Sequence, residues 1–256
     1  MALGALTAGV LAVAGVLIGA TGIGGVLVVP VLVGLEGMDP ARAVAASALA
    51  FACPGVLALW RAWQLTHTPV GPHAAAPPLW PLVAGALPGA VLGATWVHGL
   101  DTTWLLALLA VFVVGTGVRA WRPPPVDVAR TLPMGAPLSG LLGLLVGLGS
   151  GLTGTGGPVL LVPVLLACRV PIAATVLAAQ TVQLPIALSA GAAHLWAGRL
   201  DVPLALVLGM WLVLGAAGGQ WLGARMPMRH LPRVVALLLV GTGLWMAWRV
   251  WGVWYG

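Results

Sequence analysis

The stretch Thr21-Gly22-Ile23-Gly24-Gly25-Val26-Leu27-Val28-Val29-Pro30-Val31-Leu32 returns as Thr153-Gly154-Thr155-Gly156-Gly157-Pro158-Val159-Leu160-Leu161-Val162-Pro163-Val164-Leu165, with one extra residue in the second copy. Three further matches follow in the same order. Pro40 with Ala45-Ala46-Ser47 pairs with Pro171 with Ala178-Ala179-Gln180. Gly89-Ala90-Val91-Leu92-Gly93 pairs with Gly215-Ala216-Ala217-Gly218-Gly219, and Val114-Gly115-Thr116-Gly117 with Val240-Gly241-Thr242-Gly243. Ordered matches separated by about 126–133 residues mark an internal duplication, so the two halves share a fold.

Composition names the solvent of that fold. Of 256 residues, 61% are hydrophobic and 6% charged, against about 25% charged in a soluble domain. With 37 glycines and 21 prolines in so apolar a chain, the expectation is broken, closely packed transmembrane helices. Crossings of about 20 residues are predicted near 40–65, 79–98, 102–121, 171–197, 202–224 and 231–254. Two more apolar segments, 2–35 and 137–168, are each interrupted by a glycine motif. The polar stretch 122–136, RPPPVDVARTLPMGA, divides a first repeat (1–121) from a second (137–256), and 64–78 is a loop. Of thirteen tryptophans, Trp60, Trp63, Trp80, Trp96, Trp104, Trp121, Trp196, Trp251 and Trp254 gather near predicted span ends as an interfacial belt. The N-terminus lacks a basic leader and reads as a retained membrane segment.

The arginines choose between two topologies. If each motif segment crosses once, giving parallel halves, they divide almost evenly between the two faces. If each is a hairpin, Arg61, Arg119, Arg122, Arg130, Arg169, Arg225, Arg229 and Arg233 share one face. The other then keeps Arg42, Arg199 and Arg249 with Glu36, Asp39, Asp101 and Asp201. Positive residues concentrate on the cytoplasmic side, which favours the hairpins. The expected fold is therefore an all-α polytopic membrane protein of two inverted repeats, each a glycine-broken helical hairpin plus three transmembrane helices. The termini are expected outside and the linker in the cytoplasm.

Inverted repeats with interrupted helices place substrate near the midplane, where half-helix ends meet. Thr-Gly-x-Gly-Gly suits such a place: glycine leaves backbone amides uncovered, and a helix start carries the positive end of its dipole. The candidate anion cradle is Gly22, Gly24, Gly25, Gly154, Gly156 and Gly157, with hydroxyls from Thr21, Thr153 and Thr155. Ser47, Gln180 and Gln183 are polar groups within predicted spans and would add side-chain donors. Each also admits a plainer reading, since glycine clusters permit close helix packing and lone amides form interhelical hydrogen bonds. Gly85, Gly89 and Gly93, with Gly215 and Gly219, read as packing faces. Pro54 and Pro185 are expected to kink their helices, Gln220 to make a packing bond, and His194 to lie at an interface.

Several classes fall away. Lysine is absent, no Asp or Glu lies well inside a span, and no Walker motif, metal-ligand cluster or nucleophile–base pair occurs. Cys53 and Cys168 are far apart in apolar stretches. No cofactor, metal, enzyme activity or nucleic-acid partner is expected.

The paired motifs, Gly22 to Pro30 and Gly154 to Pro163, with the Ala-Ser and Ala-Gln positions after them and the repeat lengths, resemble the TauE/SafE family of sulfite-exporter-like permeases. The resemblance implies a transporter in the cell's inner (plasma) membrane. It would carry small sulfur-containing anions such as sulfite, sulfoacetate or related organosulfonates, usually outward. Family members often have a third glycine after the Gly-Gly pair, where this chain has Val26 and Pro158. A selective anion channel and a membrane anchor subunit are the rival readings.

Overall fold

A computed structural model describes residues 4–22, 24–66, 77–101, 134–168, 170 and 172–223, with isolated positions between 103 and 118 and between 237 and 248. The protein is helical, and no strand occurs among the described residues. Helix α1 (Ala5–Thr21) leads through a 3₁₀ turn, Gly25–Leu27, into α2 (Val28–Leu35). Next come α3 (Pro40–Ala50), α4 (Ala52–Thr66) and α5 (Leu79–Trp96), which ends in the 3₁₀ turn Val97–Gly99. The second half supplies α6 (Ala136–Thr153), α7 (Pro158–Ala167), α8 (Ile172–Trp196) and α9 (Val202–Gly223). Most of the expected linker and most of the spans expected at 102–121 and 231–254 lie outside the described residues.

α6 shows how a membrane helix divides its faces. Leu138, Leu141 and Leu145 form an exposed apolar stripe on α6, while Ser139, Gly143, Gly147 and Ser150 face inward. Lipid tails compete equally well for leucine, so small residues, which let backbones touch, hold such helices together. Four described helices are long and apolar enough to cross a bilayer: Pro40–Arg61, Leu79–Gly99, Ala136–Thr153 and Val202–Leu222. This is a polytopic membrane protein.

The first helix of each half packs on a helix of the other half: α1 on α9, and α6 on α5. Both seams are lined by glycine. A Cβ on Gly19 would collide with the Ala216 carbonyl, and one on Gly219 with that of Val16. Gly85, Gly89 and Gly93 stand against Gly140, Leu144 and Leu148 in the same way, and Gly143 and Gly147 against Leu82 and Ala86. The packing reading of these glycines holds.

The first motif segment doubles back on itself. Glu36, just beyond α2, accepts hydrogen bonds from the Gly4 amide (3.2 Å) and from the Thr7 hydroxyl, at the start of α1. Asp39 caps α3, accepting from the Arg42 amide at 3.2 Å with Pro40 in the first turn, and Asp201 caps α9, accepting from the Leu204 amide at 3.1 Å. Arg42 and Asp201 lie 3.9 Å apart. Residues 4, 36–42 and 201 therefore share one end of the molecule.

The 40–65 crossing is interrupted in the turn before Pro54, as expected of a proline. Pro54 has no amide to give the Ala50 carbonyl and its ring crowds that turn. The helix accordingly breaks one turn earlier, at Phe51, between α3 and α4. In α8 the helix continues through Pro185.

Candidate functional site

Both glycine motifs open with the same backbone event. α1 is closed by Gly22, which is left-handed (φ 77°) and donates its amide to the Ile18 carbonyl at 2.8 Å. α6 is closed by Gly154 (φ 64°), whose amide donates to the Ser150 carbonyl at 2.8 Å. A Cβ is disfavoured in that conformation, so glycine ends both helices. The copies then diverge. Gly156 and Gly157 are also left-handed, whereas Gly24 has φ −93°. The extra residue of the second copy, Pro158, opens α7 at the position where a missing amide costs least. Leu160 and Leu161 both donate to the Gly157 carbonyl at 3.1 Å. The amides of Gly157 and Val159 precede those bonds and have no acceptor within their helix.

The two motifs meet on one side chain. A Cβ on Gly25 would stand 2.5 Å from the Thr155 carbonyl oxygen and 2.9 Å from Phe51 Cζ, and one on Gly156 would stand 2.8 Å from Phe51 Cγ. The Phe51 ring, 1% exposed, is thus clasped between a glycine from each half. A Cβ on Gly22 would sit 3.9 Å from that of Pro158, completing the contact between motifs. Phe51 is placed there by the break in its own helix, and Gln183 reaches from α8 to donate its Nε2 to the Phe51 carbonyl at 3.4 Å.

Hydroxyl groups knit the same region. Ser47 Oγ donates across the halves to the Gly154 carbonyl at 3.0 Å and shares its proton with the Val44 carbonyl, also at 3.0 Å. Thr153 Oγ1 donates to the Gly149 carbonyl at 2.7 Å, so the 2.9 Å contact between Thr153 Oγ1 and Thr155 Oγ1 has Thr155 as donor. Ser47, Thr153, Thr155 and Gln183 are all at most 3% exposed. The hydroxyl protons of Ser47, Thr153 and Thr155 are therefore committed to internal acceptors.

Not every expected residue joins the cluster. Gly24 packs within its own hairpin, against Ala14 and Ile18, and Gly157 faces Ile186 of α8. Gln180 is half-buried one turn before Gln183. Thr21 is the last residue of α1, and its side chain lies outside the described residues.

Among known proteins, the chain matches the family model described as "Sulfite exporter TauE/SafE" over residues 6–246. The chain belongs to the TauE/SafE family. It is also similar to the "Probable inner membrane transporter protein TsaS" of Comamonas testosteroni, 31% identical over 188 residues, covering 67% of this chain and 74% of that protein. No solved structure matches. Its place in the TauE/SafE family makes this protein a membrane transporter.

Within this TauE/SafE chain, Val26 and Pro158, which stand where a third glycine is common, are both buried. Phe51 was absent from the sequence-derived site. Phenylalanine occurs only twice in the chain and here interrupts the small-residue run Ala-Ala-Ser-Ala-Leu-Ala-Phe-Ala-Cys-Pro. That contrast in size was the available signal. A second unanticipated feature is a pair of imidazoles: His98 Nε2 and His194 Nδ1 lie 2.8 Å apart.

Proposed function

We propose that this protein moves a small sulfur oxyanion or organosulfonate across the inner membrane by alternating access, binding it where the two glycine motifs meet. The observation that carries this reading is the clasping of Phe51 by Gly25 and Gly156, one glycine from each half. Two duplicated half-helix ends thereby face a common centre, and their uncovered amides favour negative charge without any cationic side chain. Gly22, Gly24, Gly25, Gly154, Gly156 and Gly157 supply the backbone, with Thr21, Thr153, Thr155, Ser47, Gln180 and Gln183 as side-chain donors.

Phe51 fills the centre in this conformation, so an anion must displace its ring and draw the committed hydroxyls away from their internal acceptors. A pathway closed by packing favours a carrier over an open pore. The halves act as inverted repeats, 1–121 and 137–256, joined by a cytoplasmic linker with both termini outside. The shared end of residues 4, 36–42 and 201 supports that arrangement. Outward movement of an anion from a negative-inside cell gains roughly 2.3 kcal/mol per charge per 100 mV, enough to drive export without a nucleotide.

The test is anion binding and proteoliposome counterflow with sulfite, sulfate, thiosulfate, sulfoacetate and taurine, repeated with Gln180→Ala and Gly156→Val. Saturable counterflow of a sulfur anion, weakened by both substitutions, is the expected result. Absence of binding by every anion, or binding untouched by both substitutions, overturns the site. Single-channel currents overturn the carrier.

A further inference from the structure

Away from the glycine motifs, His98 is the middle residue of the 3₁₀ turn after α5 and His194 lies in the last turn of α8. Their rings meet edge to face, centroids 5.0 Å apart at 89°, with His98 Nε2 and His194 Nδ1 at 2.8 Å. His194 is completely buried, and its Nε2 has no hydrogen-bond partner. Ionisable groups so placed in a membrane protein are costly and rarely without a task.

We propose that His98 and His194 form a proton-binding latch between the two halves, closed while the pair holds at most one extra proton and opened by a second. The reason lies in the count of donors. A bond between two imidazole nitrogens needs one N–H and one lone pair. Two neutral rings satisfy that, and so does a pair sharing one additional proton. When both rings are imidazolium, two N–H groups point at each other across 2.8 Å and the contact must part. In the pair with one extra proton both outer nitrogens, including the unpartnered Nε2 of His194, carry hydrogen, so a second extra proton must take the lone pair that accepts within the contact.

The surroundings leave the decision to these two rings. Burial bears first on both rings; of the charged side chains, Arg199 and then Asp39 act on His98 in opposite senses, and His98 acts on His194. α6, which packs on the same turn, carries no titratable side chain. Protons are thus the ligand, and this end of the α5–α8 contact is what they control. The inference does not depend on which anion is carried.

The test uses the full chain in nanodiscs, with Cys53 and Cys168 replaced by Ala and spin labels at Gly99→Cys and Ala197→Cys. A Cβ at Gly99 meets nothing within 4 Å, and Ala197 is exposed. The label-to-label distance should lengthen by several ångströms between about pH 8 and about pH 3.5, an acid limit set below ordinary imidazole titration because burial and the first charge both resist the second proton. In His98→Gln, and separately in His194→Gln, the bond can persist without titrating, and the short distance should hold at both pH values. A parent protein whose distance ignores pH, or Gln variants that open as the parent does, overturns the proposal.

Discussion

Ser47 and Gly154, one from each half, are joined by a 3.0 Å hydrogen bond from the serine hydroxyl to the glycine carbonyl. That carbonyl belongs to the left-handed residue that ends α6, so the α3 helix directly steadies the turn into the second motif. Ser47→Ala would leave the carbonyl buried with one fewer donor. Thermal unfolding of the purified protein should show a loss of about 1 kcal/mol. Ser47→Thr, if its hydroxyl keeps the bond, should recover part of it.

Gly156 and Phe51 are coupled by shape. Gly156→Ala adds a Cβ in a left-handed residue (φ 81°) and presses it into the Phe51 ring. Phe51→Leu should relieve the second penalty and leave the first. In a double-mutant cycle monitored by thermal unfolding, the two changes together should cost less than the sum of the singles, by about 0.5–3 kcal/mol. Additive costs would mean the ring is not what Gly156 accommodates.

Phe51→Ala should also change transport itself, because the ring occupies the meeting point of the two motifs. Proteoliposomes carrying this variant should show a faster leak of the transported anion, with weaker discrimination among anions of different size. A variant with unchanged flux and selectivity would assign the ring to packing alone.

The glycine seams allow a paired comparison within one helix. Gly219→Ala drives a Cβ into the Val16 backbone, whereas Gly218→Ala meets nothing within 4 Å. Overpacking typically costs about 1–3 kcal/mol, and Ala otherwise gains roughly 0.5–1 kcal/mol over Gly in a helix. Gly219→Ala should therefore lower the unfolding midpoint, and Gly218→Ala should hold or raise it.

Glu36 ties the return of the first hairpin to its start. Glu36→Ala removes the acceptor for both the Gly4 amide and the Thr7 hydroxyl. Hydrogen–deuterium exchange should accelerate in the first turn of α1 while the α5–α6 seam stays protected. Uniform acceleration would show that Glu36 has a wider role.

Sequence alone determined the solvent and the helices. Hydropathy over some twenty residues is a local property, and the stop at each Thr-Gly is also local, since only glycine takes the left-handed turn cheaply at Gly22 and Gly154. The family was legible in the paired motifs for the same reason. Tertiary structure decided what touches what. Phe51 lies 26 residues from Gly25 and 105 from Gly156, and no periodicity links them. Its position follows from the helix break at Phe51 together with the approach of the two glycine motifs. The His98–His194 contact likewise depends on α5 packing against α8. Membrane helices with smooth, glycine-rich faces can approach one another in many registers, so their pairing is set by the sum of close backbone contacts and not by any one segment.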